Sequence, residues 1–336
     1  MVNNEIITFI KNNLNSDFEH DFNYLMSELI HYQKLKGGEM IVQEIIKLFR
    51  SELGEEGVKK FNETVQASFK MRIDKYNEAI NCLKEKKKTE AQDILVKLID
   101  TFPVKKSDED LVPIYNFQNT FESVLYTRGV EQKRHIRQVN EPIAGYYFHL
   151  AIILFDEKDY EESIKMLDYV LAYNPVYVEA FLLKSECYLN LGFNNLFFDN
   201  IKQALAYSYT RPHFAKSYFL LGRYYLDLGN KEAALSFFVV SKHYDQTPFI
   251  DIFMKKATEL PGEFVRFDKP TDLLNNFNKL NIQFGPSKLI IEQLNICISE
   301  SKKNSNIKLL QYFLTLMFNL TQDPNIKKEL DELKEK

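Results

Sequence analysis

Between Ala144 and Pro175, apolar and small residues recur at fixed spacing: Tyr147, Leu150-Ala151, Leu154, then Asp159-Tyr160, Ser163, Leu167, Val170 and Pro175. The same spacing laid at Val178 returns Phe181, Ser185, Tyr188, Gly192, Ile201 and Ala204. Laid at Ala215 it returns Tyr218, Leu221-Gly222, Tyr225, Gly229, Ala234 and Phe238. Laid at Arg72 it returns Ala79, Cys82, Ala91, Leu95, Leu98 and Pro103. Apolar positions three and four residues apart line one face of a helix. Two such stripes per unit, repeated along the chain, predict stacked helical hairpins. A stack of hairpins presents a curved surface whose usual use is binding.

The flanks are patterned for helices but do not repeat. Phe18, Phe22, Leu25, Met26, Leu29 and Ile30 form one stripe, broken by Gly37-Gly38. Ile41, Ile45, Ile46, Leu48 and Phe49 form a second, closed by Gly54. Residues 1–71 are expected to be an N-terminal helical cap that shields the open end of the first repeat. Residues 72–143 hold the first repeat-like hairpin and an inserted segment. That insert carries an acidic patch (Asp108, Glu109, Asp110), a basic cluster (Lys133, Arg134, His135, Arg137) and Pro113 and Pro142. Tyr115, Phe117, Phe121, Leu125 and Tyr126 make it too apolar for a free linker, and one packed helix is expected there.

Residues 144–259 form the main array, including a helix after Pro248 (Phe249, Ile250, Ile252, Phe253, Ala257) that ends at Pro261-Gly262. Residues 260–336 are expected to be a C-terminal helical cap. There Leu310, Phe313, Leu314, Met317 and Leu320 make one stripe, while Leu309, Leu316 and Phe318 point elsewhere. A helix so apolar must be covered nearly all round, either within the chain or by a second copy, so a monomer or a C-terminal homodimer is expected.

Composition fits this picture. Apolar residues are 45% and charged residues 27% of 336, an ordinary globular balance. Only 11 Gly and 10 Pro occur, which favours long helices over turn-rich β architecture. The net charge of −4 gives no global pull toward nucleic acid or anionic lipid. Cys82, Cys187 and Cys297 are too few and too widely spaced for a disulfide framework or a zinc motif. Met1 to Ile10 does not read as a signal peptide, and the apolar run from Ile307 to Leu320 is too short to span a bilayer. A reducing cytoplasm is expected.

The pattern resembles the tetratricopeptide repeat, in which helices A and B occupy about 34 residues and small residues sit where they cross. The first small position holds Ala79, Ala151, Ser185 and Gly222; the second holds Ala91, Ser163, Phe197 and Ala234. Small side chains let two helix backbones approach, so Phe197 predicts a splayed hairpin. The terminal proline is present as Pro103 and Pro175 and replaced by Tyr209 and Gln246. The broader arrangement also resembles bacterial proteins of this type with a step like Asn174-Pro175-Val176, which implies a bacterial source. The fold expected is all-α: a tetratricopeptide-like helical-hairpin solenoid with non-repeat helical caps.

The resemblance implies a concave groove lined by helix A. The matching positions give a partner-binding set of Phe148, Ile152, Phe155, Leu182, Glu186, Asn190, Lys216, Phe219 and Arg223. An apolar groove with a charged rim suits a peptide or helix with apolar anchors. The alternative is a groove filled by the chain's own insert or C-terminal helices. The family's carboxylate clamp maps to Phe148, Ile152, Leu183, Lys216 and Leu220, of which only Lys216 matches, so that mode is not expected.

Enzymatic chemistry finds no footing. His20, His31, His135, His149, His213 and His243 show no metal-pair spacing, and His149 reads as a packed imidazole. Phosphate-binding and nucleophile-elbow motifs are absent, and Glu161-Glu162 is explained by a helix start. Lys84 to Lys88 reads as a solvated turn, and the single basic cluster near Tyr126 is weak support for nucleic acid. No cofactor and no metal are expected. The leading expectation is a non-enzymatic adaptor for a protein or peptide; the others are a peptide-responsive regulator and an accessory subunit of an enzyme complex.

Overall fold

The computed structural model describes residues 2–33, 35, 37–101, 113–131, 136–267 and 269–334. Pro103, the acidic patch at 108–110 and the basic residues 133–135 lie outside the described residues. Internal contacts divide the chain into two units: residues 1–114 with 139–150, and residues 115–138 with 151–336.

The first unit is built from α1 (Val2–Asn12), α2 (Phe18–Gln33), α3 (Glu39–Lys84), α4 (Lys88–Asp100) and the first turns of α6 (Ile143–Asp156). The two stripes read from the sequence meet: Phe22, Leu25 and Leu29 of α2 bury against Ile41, Ile45, Leu48 and Phe49 of α3. Phe22 and Phe49 meet edge to face at 5.4 Å. Gly54 closes the helix that carries the second stripe, and a second helical stretch follows it within α3. Its φ of 64 and ψ of −160 make a conformation costly for any residue with a Cβ. The α3–α4 hairpin packs through Ala79 and Ala91, both fully buried. Arg72 donates a two-pronged pair of hydrogen bonds to Glu141 at 2.7 and 3.0 Å, and the Tyr146 hydroxyl adds a third at 3.0 Å. A half-buried arginine fork of this kind joins α3 to the entry of α6 within this unit.

The second unit begins with the insert. In place of one helix it holds strand residues Tyr115 and Arg137–Gln138, the short α5 (Thr120–Val124) and a π-helical turn, Leu125–Val130. The hairpin array follows: the end of α6 with α7 (Tyr160–Tyr173), α8 (Val178–Leu191) with α9 (Asn194–Tyr207), and α10 (Arg211–Asp227) with α11 (Lys231–Tyr244). Then come α12 (Pro248–Thr258), α13 (Pro270–Lys279), α14 (Lys288–Lys303), α15 (Ile307–Thr321) and α16 (Pro324–Lys334). Helix starts carry the caps the sequence offers: Asp159, Asn230, Ser287 and Asn306 each accept a backbone N–H from three residues on. Gly192 ends α8 in the left-handed conformation.

A buried glutamate holds the insert in this unit. Glu122, fully buried, accepts from the Gln118 N–H at 2.8 Å, from Asn174 Nδ2 at 2.7 Å and from the Tyr209 hydroxyl at 2.8 Å. Asn174 and Tyr209 sit in the connections that follow α7 and α9, so the insert docks on the links between repeats. Phe121 meets Phe313 of α15 and Arg128 pairs with Glu300 of α14, tying the C-terminal helices to the same segment. Burial pushes the Glu122 carboxyl above its ordinary range, against the hydrogen bonds it accepts. The stripe of α15 (Leu310, Phe313, Leu314, Met317, Leu320) is buried in the unit's own core, and Leu330 of α16 joins it. The fold is thus all-α, built of helical hairpins with non-repeat helices before and after them in the chain.

Candidate functional site

The first helices of the hairpins are placed by small residues. Ala151 and Ser185 are fully buried, and Gly222 is buried against Phe238. At the α6–α7 crossing, Ser163 Oγ donates to the Ala151 carbonyl at 2.8 Å; at the α10–α11 crossing, Ser241 Oγ donates to the Ala215 carbonyl at 2.7 Å. A hydroxyl bonded to a facing backbone carbonyl requires the helices to lie close. Phe197 is accommodated differently. It is fully buried and stacks on Tyr224 at 5.3 Å, so its ring fills the space toward α10.

Of the nine residues expected to line a groove, eight lie in the second unit. Phe148, half-buried, belongs to the first. Ile152 and Phe155 are half-buried on α6, with Phe155 against Tyr160 at 5.4 Å. Leu182 and Phe219 are buried in the core. Asn190 is exposed and donates to the Glu186 carbonyl.

Glu186, Lys216 and Arg223 come together. Lys216 Nζ lies 2.6 Å from one oxygen of Glu186 and Arg223 Nη1 lies 2.9 Å from the other. The Glu186 side chain is 12% exposed, so its charge is held by two cations in partial burial. Two positive groups on one carboxylate leave an unbalanced positive charge between α8 and α10.

Sequence reasoning missed the continuation onto α12. Lys216 stands over the Phe219 ring at 5.8 Å, and Phe219 touches Phe249 at 5.4 Å and Phe253 at 5.0 Å. Lys256 stands over Phe253 at 5.0 Å. Phe249 and Ile252 are 55% and 54% exposed. The spacing 249, 252, 253, 256 is one helical stripe and was the signal available in the sequence. A strip therefore runs from Arg223 through Glu186, Lys216 and Phe219 to the exposed face of α12.

Other chemistry-bearing groups are accounted for by packing. His149 Nδ1 lies 2.9 Å from the Tyr76 hydroxyl, and burial lowers its affinity for a proton. Cys187 and Cys297 are buried free thiols, each pushed up by burial to about 11. Among the described residues, no group of three or more His, Cys, Asp or Glu is placed to hold a metal ion. Among them also, no helix is long and apolar enough to cross a membrane.

A family model described as the tetratricopeptide repeat matches residues 144–177 and 215–239. No curated protein matches. Among solved structures, one titled as the functional characterization of Pseudomonas aeruginosa pilF is similar at 11% identity and TM-score 0.42, covering 78% of this chain and 97% of that one. A likeness of that degree leaves function open. The two matched stretches coincide with the α6–α7 and α10–α11 hairpins, and α8–α9 repeats the same hairpin between them. This chain carries tetratricopeptide repeats, at residues 144–177 and 215–239.

Proposed function

We propose that the chain is a non-enzymatic adaptor, working in the cytoplasm, that holds a protein or peptide along the strip formed by α8, α10 and α12. One observation carries the reading: Phe249 and Ile252 stay more than half exposed beside the Glu186–Lys216–Arg223 cluster. Large apolar side chains next to half-buried, pre-positioned charges are what interface anchors consist of. Of the residues expected from the sequence, Glu186, Asn190, Lys216 and Arg223 are the accessible members of this surface. Leu182 and Phe219 support it from beneath.

Affinity purification of the full chain from its native cell, with quantitative mass spectrometry, tests the reading. Proteins retained by the wild type are expected to be lost from the paired variant Phe249→Ala, Arg223→Glu, with no change in its helical content. Equal retention by a folded variant moves the site elsewhere.

A further inference from the structure

We infer that the partner's docking segment is acidic as well as apolar: a stretch of another protein that sets one or more carboxylates beside a large apolar side chain. This rests on the adaptor reading above and specifies the chemistry of its ligand. The argument is charge complementarity along one continuous chain of contacts. Lys216, Arg223 and Lys256 contribute three positive charges. Glu186 offsets one of them, exposed Asp227 one turn beyond Arg223 adds a negative charge at the far end, and Asp251 of α12 is paired with Lys242. The strip stays positive where Lys216 and Lys256 bracket the aromatic cluster, on a chain whose net charge is −4. That sign is opposite to the whole molecule's, so the local field selects ligands the rest of the surface repels.

Geometry adds the apolar requirement. Lys216 lies over Phe219 and Lys256 over Phe253, with exposed Phe249 touching both rings. An apolar side chain laid on Phe249 and Ile252 therefore has an ammonium group within reach on either side. A carboxylate one helical turn or two extended residues from that anchor meets Lys216 or Lys256. Glu186 acts as an internal competitor: it holds Lys216 and Arg223 in place and weakens their pull on a second carboxylate.

Panning a phage library of random dodecapeptides against the full chain, then measuring the best peptide by fluorescence anisotropy, tests this. The expected winners carry Asp or Glu within four positions of Phe, Leu, Ile or Met. Lys216→Glu is expected to weaken such a peptide about tenfold or more, and raising the salt concentration weakens it further. Glu186→Gln, which frees both cations while keeping the side chain's shape, is expected to strengthen it about threefold. That gain is one a merely structural role for Glu186 does not produce. Winners that are apolar but basic or uncharged, and lost on Phe249→Ala, overturn the acidic specificity and leave the adaptor reading standing. Enrichment of no peptide at all overturns both.

Discussion

The Cε1 atom of Phe238 occupies the place a side chain would take at Gly222. A Cβ built on Gly222 falls 2.5 Å from that atom, with two further ring atoms at 2.6 and 2.9 Å. Phe238 is fully buried and is flanked by Phe219 and Phe253, so its ring has nowhere to retreat. The α10–α11 crossing is thus a ring-into-backbone contact that only glycine permits.

Gly222→Ala measures that contact. Alanine gains about 1 kcal/mol of helix propensity over glycine. The overpacked ring costs about 1–3 kcal/mol. Since Phe238 is hemmed in, the clash is expected to win and the melting temperature to fall. A rise in melting temperature means the ring moves freely.

Ala151→Trp tests the α6–α7 crossing in the same way. Ala151 is fully buried and its carbonyl receives the Ser163 hydroxyl at 2.8 Å. Indole there separates the helices and breaks that bond, at a cost of about 3 kcal/mol or more. Unchanged thermal stability contradicts the repeat register.

Glu122 sets a pH dependence of known sign. An unfolded glutamate titrates near about 4.3. In the folded chain, burial holds the Glu122 proton to higher pH than that. Between the two values the folded state binds more protons, so stability falls as pH rises through the window. Glu122→Gln removes the titration. The unfolding free energy of wild type minus that of Glu122→Gln is expected to decrease as pH rises above the ordinary glutamate range. A difference that is flat or rises shows that Glu122 is not buried as a carboxylate in the insert's dock.

The C-terminal helices test how the array is closed. Leu310, Phe313, Leu314, Met317 and Leu320 are buried within the chain. We therefore propose a monomer with an intramolecular cap. A chain ending at Ser301 is expected to melt lower or to aggregate, while the intact protein scatters light as a monomer. An intact dimer that becomes a stable monomer on truncation establishes pairing through these helices.

Much of the fold was legible because helix periodicity is local. The stripes of α2, α3 and α15 and the small residues at the crossings follow from spacing alone. Phe197 departs from the small-residue pattern, and that pattern considers only the two helices of one hairpin. The ring instead stacks on Tyr224 of the next. Gly54 was legible as a break because a glycine at positive φ leaves the helical conformation, although a further helical stretch follows it. The dock of the insert was hidden for another reason: Glu122, Asn174 and Tyr209 are 52 and 87 residues apart in pairing, and no local pattern encodes such a meeting. Of the candidate site, Glu186, Lys216 and Arg223 were named through the resemblance to the tetratricopeptide repeat, which implies the groove positions of helix A. The share taken by α12 was not, because the array was read as ending its groove at the third hairpin.

The central claim is that the face of α8, α10 and α12 meets a partner, and site-specific photocrosslinking tests it most directly. A photoreactive phenylalanine analogue placed at Phe249 or at Ile252 in the living cell is expected to yield a discrete crosslinked band. The same analogue at exposed Phe9 of the first unit is expected to yield none of that band. Crosslinks at position 9 that match those at 249, or silence at both 249 and 252, contradict the claim.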